Sequence, residues 1–314
     1  MGLPDNAITL NPAVVDDLIL PFQAEGASVS GRLVRLGPAV DEILRGHDYP
    51  EPVCKLLGEG VAVTALLGAS LKFEGKFTFQ TKTDGPVSML VIDYLSSGEL
   101  RGYARFDAEK VSVLEKADEA TPAALLGKGH LAMTIDRGSD MDSYQGVVAL
   151  EGESLSDAAD AYFRQSEQLP TFIRVAVARH YNSADSGDGW SWRAGGLVVQ
   201  HLSREGGFAT TEDDPDSDDW NRAYHLASTV EEQELVDPML APERLIYRLF
   251  HEEQVRAFNT QPLSFRCGCS ADRVRSVLAN FSSADLTEMA EDGQIGVTCE
   301  FCNAQYAFSP SDFS

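Results

Sequence analysis

The chain has 314 residues, 43% of them hydrophobic, and a formal net charge of −24. That length allows two domains, or one large domain with a small appendage. The charge argues against nucleic acid as a partner, because binding it needs basic patches that displace counterions, and none stands out in the sequence. No apolar run reaches the roughly 18 residues a bilayer span requires, so no membrane partner is expected. Met1-Gly2-Leu3-Pro4-Asp5 has no basic n-region and no apolar stretch behind it. No secretory signal is read there, and the expected compartment is the cytosol.

Pro52 to Leu71 is rich in Ala, Leu and Val and reads as a buried helix, with Gly58, Gly60 and Gly68 inside it. From Lys72 to Thr81 apolar and polar residues alternate, which predicts a strand. Asp84-Gly85-Pro86 is a turn, Val87 to Tyr94 is apolar and β-branched, and Leu100 to Phe106 reads as another strand. Gly129 to Ile135, Tyr144 to Leu150, Phe172 to Ala178 and Gly195 to Leu202 continue the β signal. Ser154 opens a helix expected to run to about Gln168, with Pro170 just beyond. The order predicts an α+β sheet-and-helix domain over 1–202.

Residues 203–262 differ. The block from Glu212 to Asp219 is acidic and is expected to be a solvated loop. Two short helices follow. One carries Ala223, Leu226, Ala227 and Val230 on one face. The other starts at Ala241-Pro242 and shows Leu245, Ile246, Leu249 and Phe250. Helices this short are marginal alone, so the segment is read as a metastable helical linker that must lean on another surface.

Residues 263–314 read as a small metal module. Ser270 caps a helix whose apolar face is Val274, Val277, Leu278 and Phe281. Ser282 with Asp285 starts a second helix, which Gly293 is expected to end, before a hairpin that carries Cys299 and Cys302. Of five cysteines, Cys54 stands alone in an apolar helix and reads as a core residue. The others form the pairs Cys267-Gly268-Cys269 and Cys299-Glu300-Phe301-Cys302. In a reducing compartment, clustered cysteines point to metal or redox chemistry before structural disulfides. Four thiolates suit one tetrahedral zinc ion per chain, with Gly268 expected to let the backbone bend between two ligands. Free thiols or two cytosolic disulfides are the alternatives. Four protein ligands close the coordination shell, which leaves no place for a catalytic water. The site is therefore structural or redox-active, and the residues alone leave both open.

No other motif carries chemistry. Gly127-Lys128-Gly129-His130-Leu131-Ala132 precedes a strand instead of following one, so it reads as a helix-to-strand turn. There is no ATP-binding G-x-x-x-x-G-K-[ST]. His251-Glu252-Glu253 lacks the second histidine of a zinc protease and reads as a solvated helix face, and His201 and His225 lack partners at helical spacing. No catalytic residues are assigned, and the chain is not expected to be an enzyme.

Several stretches match one family in order: His47-Asp48-Tyr49-Pro50, Leu71-Lys72-Phe73-Glu74-Gly75, Asp84-Gly85-Pro86, and Arg101-Gly102-Tyr103-Ala104-Arg105. Tyr144-Gln145-Gly146-Val147-Val148, Ser166-Glu167-Gln168-Leu169-Pro170, Ala194-Gly195-Gly196, Ala290-Glu291-Asp292-Gly293 and the C-x-C…C-x-x-C cysteines follow. Over essentially its full length the chain resembles the bacterial redox-regulated Hsp33 chaperones. The resemblance implies a holdase that needs no ATP and is inactive while reduced and zinc-bound. It implies disulfides Cys267–Cys269 and Cys299–Cys302 on oxidation, zinc release, and unfolding of the linker and metal module. Its partners would be unfolded or partly unfolded client proteins and, when oxidised, a second copy. The chain departs from the family at Gly268, where Thr or Ser is frequent, and in a longer loop from Tyr181 to Trp192 and a longer acidic start to the linker. A constitutive adaptor with a purely structural zinc module is the competing reading, and an enzyme with the module as a lid ranks last.

Overall fold

The computed structural model describes residues 16–71, 73–137, 143–150, 154–163, 169–183, 189–202 and 218–313. The chain opens with a hairpin of β1 (Leu18–Ala24) and β2 (Val29–Leu36), in register Leu18 to Arg35. Then α1 (Pro38–Arg45) starts on a proline and receives a further N-terminal cap, because the Asp17 carboxylate accepts from the Gly37 and Ala39 amides. The helix expected from Pro52 to Leu71 is α2 (Glu51–Ser70). By length and composition α2 could cross a membrane, contrary to the expectation that no apolar run is long enough. It is instead a core helix, apolar on all sides because protein surrounds it. At Gly68 an added Cβ would lie 2.4 Å from the Tyr94 ring, so glycine lets a neighbouring strand approach.

A meander follows: β3 (Lys76–Thr83), β4 (Val87–Leu95) and β5 (Glu99–Phe106). The first of these begins later than the alternation suggested, after a bend at Gly75, whose φ is +123°. The helices α3 (Ala108–Lys116), capped by Asp107, and α4 (Pro122–Leu126), capped by Thr121, were not read from sequence. Gly127, at φ +63°, turns the chain from α4 into β6 (Gly129–Asp136), as the Gly127–Gly129 reading expected. Next come β7 (Tyr144–Leu150) and α5 (Leu155–Tyr162), capped by Ser154. The expected continuation over 164–168 lies outside the described residues. The long hairpin of β8 (Thr171–Tyr181) and β9 (Trp190–His201) then pairs throughout.

After the acidic block, of which 212–217 lie outside the described residues, come α6 (Asp218–Ser228), α7 (Glu232–Val236) and α8 (Pro242–Phe250). Two short strands, β10 (Val255–Ala257) and β11 (Gln261–Pro262), add to the free side of β1. A third, β12 (Ser264–Phe265), pairs parallel with β5. The described strands thus form two six-stranded sheets. One includes β10-β1-β2-β9-β8 with β11 also on β1, and the other runs β12-β5-β4-β3-β6-β7. A small module closes the chain, with α9 (Ala271–Leu278), α10 (Ser283–Glu288), and a hairpin of β13 (Ile295–Thr298) and β14 (Gln305–Phe308).

The first sheet is apolar on both faces because both are covered. Ile19, Val34, Leu36 and Val198 join the core around α2, which also takes Phe77, Phe79 and Ile92 from the second sheet. Leu18, Leu20, Phe22, Leu33, Leu197 and Val199 face the other way, onto α6, α7 and α8. Every apolar residue singled out on the two expected linker helices joins that outer cluster: Ala223, Leu226, Ala227, Val230, Leu245, Ile246, Leu249 and Phe250.

Three arginines on the same sheet grip the main chain of this segment. Arg35 is wholly buried and donates to the carbonyls of Glu234 (2.8 Å), Leu240 (2.9 Å) and Asp237. Arg193 donates to Val236 O at 2.7 Å and Arg174 to Val230 O at 2.8 Å. Helix C-termini leave carbonyls without intrahelical partners, and these guanidinium groups supply donors there. Burial lowers the Arg35 pKa to about 10, which leaves it charged at neutral pH. Glu253, expected on a solvated face, is buried and accepts from Arg222 Nε at 2.7 Å, tying α6 to the turn after α8.

Candidate metal centre

The candidate site is assembled from both ends of this C-terminal module. On one side, β12 is laid along β5 by hydrogen bonds from Ser264 N to Gly98 O and Arg266 N to Leu100 O, both 3.0 Å. Cys267, Gly268 and Cys269 follow directly, and the Ser270 side chain then caps α9. The expected role of Gly268 needs correcting. Its φ is not in the left-handed region, and what it provides is room, since an added Cβ would lie 2.9 Å from the Arg273 guanidinium. Arg273 uses that room to donate to Gly268 O at 2.6 Å.

On the other side, the β13–β14 hairpin is closed by a knuckle. Cys299 N donates to Ala304 O, and Asn303 N donates to Cys299 O, each at 2.9 Å. Asn303 sits at φ +58°, a conformation asparagine tolerates better than most residues. The module's own core is Leu278, Leu286, Ile295 and Phe308, with Val274 and Tyr306 against it. Of the face expected on α9, Val277 is 60% exposed and Phe281 42%, so only half of it packs. Gly293 lies in the turn before β13, several residues past the end of α10, which closes at Met289.

These elements bring the sulfurs of Cys267, Cys269, Cys299 and Cys302 within 4.8 Å of one another. Cys267 and Cys299 are 3.7 Å apart, Cys269 and Cys302 3.3 Å. A tetrahedral ion bound at about 2.3 Å needs sulfurs about 3.8 Å apart. The four thiols therefore fit one zinc ion, by donor type as well as by spacing. The Tyr306 hydroxyl donates to Cys269 Sγ at 3.1 Å and pulls that thiol's pKa down to about 7. Among the described residues, this is the one group of three or more His, Cys, Asp or Glu placed to hold a metal. His201 and His225 lie elsewhere, beside Trp220 and Tyr224.

Cys54 is buried in α2 with its thiol toward Tyr49 O at 3.7 Å, and burial pushes its pKa up to about 12. At neutral pH it stays protonated and unreactive. Iodoacetamide is expected to leave Cys54 unmodified in the native chain and to modify it in denaturant, as read by peptide mass spectrometry. Rapid native labelling would contradict its place in the core.

The sequence placed a strand over Leu100 to Phe106, now β5, but not its contact with the module. Arg101, Tyr103 and Arg105 occupy alternate positions of β5 and contact Glu300 and Phe301 of the knuckle. Their spacing places them on one face, but nothing in the sequence says what that face touches.

The sequence profile of the family described as Hsp33 protein matches residues 17–309. The 33 kDa chaperonin of Caulobacter vibrioides is 46% identical over 96% of this chain and 98% of its own length. That of Ectopseudomonas mendocina is 37% identical over 96% of this chain and 95% of its own. A crystal structure of the 33 kDa chaperonin (heat shock protein 33 homolog) of Thermotoga maritima aligns with a TM-score of 0.76 at 21% identity. The alignment covers 95% of this chain and 96% of that one, and it shows a shared fold. On its profile match and on these relatives, the chain belongs to the Hsp33 family.

Proposed function

We propose that the chain is a redox-regulated, ATP-independent holdase, inactive while reduced and metal-bound. The family is one of chaperones, a non-enzymatic role. The observation that carries the redox reading is the cluster of four cysteine sulfurs within 4.8 Å, in a module whose own core is only four buried side chains. In the reduced chain Cys267, Cys269, Cys299 and Cys302 hold one zinc ion. Bound there, zinc crosslinks two chain segments and keeps the sulfurs as thiolates, the form that oxidants attack.

Oxidation joins Cys267 to Cys269 and Cys299 to Cys302. As each S–S bond forms, its two thiolates give up two electrons to a two-electron oxidant, and with hydrogen peroxide the O–O bond breaks to two hydroxides. The sulfurs no longer ligate, and the module loses the crosslink that closes it. The division into a core of 1–202, a linker of 203–262 and a redox module of 263–314 follows from this reading. The linker's described part covers the outer apolar face of the first sheet. Once the module opens, that segment loses its C-terminal anchor, and the apolar surfaces of linker and sheet become available to unfolding clients in the cytosol and to a second copy. The net charge of −24 keeps the opened form dissolved.

The test is client aggregation followed by light scattering, without ATP. The oxidised chain is expected to suppress it and the reduced, zinc-loaded chain is not. Equal suppression by both would favour a constitutive adaptor with a structural zinc.

A further inference from the structure

The two residues between the knuckle cysteines are not spacers. Phe301 presents its ring to β5, where the Arg101 guanidinium lies 4.0 Å from its centroid and the Tyr103 ring meets it edge-on at 4.9 Å. Glu300 pairs with Arg105 at 2.8 Å. The receiving strand is prepared for this. Arg101 is held from behind by Asp93, whose carboxylate accepts at 2.9 and 2.6 Å and is itself buried and bonded by Thr78 at 2.6 Å. Residues from β3, β4 and β5 thus fix the guanidinium plane before the knuckle arrives. The same strand receives β12, the segment that leads into Cys267. One strand therefore holds the approach to the first cysteine pair by main chain and the second pair by side chains.

The contact is also narrow. Beside it lies an open cleft of about 350 Å³, lined by His47, Tyr49, Tyr103, Arg105 and Cys299. Arg105 and Glu300 are both more than half exposed, so their pair contributes little. The aromatic stack on an ordered arginine carries the contact.

We propose that β5 is a docking strip for the metal knuckle, and that Phe301 in its Arg101–Tyr103 seat couples the state of the four cysteines to the second sheet. This rests on the reading that the reduced cysteines hold a metal. The knuckle's end sulfurs set the angle at which Phe301 meets β5, and release of those sulfurs unseats it. A route then runs from the metal centre to the second sheet, separate from the linker on the first.

The test uses the full reduced chain, with neither oxidant nor client. Phe301→Ala is expected to retain one zinc per chain but to lose it to a chelator about tenfold faster, the weight of one such stack. The amides of Ser264 and Arg266 are expected to exchange faster with deuterium. Phe301→Tyr, which keeps the stack, is expected to behave as the parent. Parent-like zinc release and exchange in Phe301→Ala would overturn the proposal. So would Phe301→Tyr behaving like the alanine variant, or Phe301→Ala purifying without metal, which would make Phe301 a determinant of ligation and not of docking. A parent chain that binds no zinc would sink the metal reading first, before any variant is compared.

Discussion

Replacing any one of Cys267, Cys269, Cys299 or Cys302 with serine is expected to strip zinc from the reduced chain and unfold residues from about 267 onward. The four sulfurs are mutually within 4.8 Å and come from two segments that are joined at the site and in a small core of Leu278, Leu286, Ile295 and Phe308. A core that size is far below what an independent domain needs. Zinc coordination in small modules contributes about 10–16 kcal/mol to folding, so a lost ligand removes the largest single stabilising contribution in the module. Cys54→Ser is the control, because that thiol is buried in α2 and is not part of the cluster. Metal analysis of purified protein with deuterium exchange across 263–313 measures both effects. A ligand variant that keeps stoichiometric zinc and a protected module, or a Cys54→Ser protein that folds without zinc, would overturn the ligand assignment.

Phe250→Ala is expected to activate the chain partly while zinc is bound and the cysteines are reduced. Phe250 is wholly buried, with its ring 5.5 Å from that of Phe22 on β1. Removing such a ring costs about 3–5 kcal/mol. The loss falls on α8, a nine-residue helix that would be marginal by itself. Segments with such small reserves open first. Leu249→Ala, at a site 3% exposed, should act in the same direction at about 2–5 kcal/mol. The readout is client aggregation under reducing conditions, with zinc measured in the same sample. If protease mapping shows α8 released while the variants remain as inactive as the parent, linker exposure is not the switch. The client site would then lie elsewhere on the sheet domain.

Much of this was legible in the sequence where local patterning decides structure. The alternation in β3, the Asp84-Gly85-Pro86 turn and the Ser154, Ser270 and Ser282 caps all sit where their chemistry placed them. So did the four cysteines, because thiol spacing is local within each pair. What escaped depends on distant partners. The strands β10, β11 and β12 have two or three residues and form only because β1 and β5 present free edges. Arg35 and Arg193 carry no local signal of their role, yet they serve the carbonyls of residues about 40–200 positions away. The membrane-length apolarity of α2 was missed because Glu51, Lys55 and Glu59 interrupt the run, and only packing reveals that sheets surround it.

The most direct test of the central claim follows zinc release and segment opening together after oxidant is added. A chromogenic chelator reports the metal, and pulsed deuterium exchange reports 218–262 against β2 and β9. Protection of α6 and α8 is expected to be lost at the rate of zinc release, while β2 and β9 stay protected. Zinc release with α6 and α8 still protected, or loss of protection across the whole chain at once, would contradict that claim.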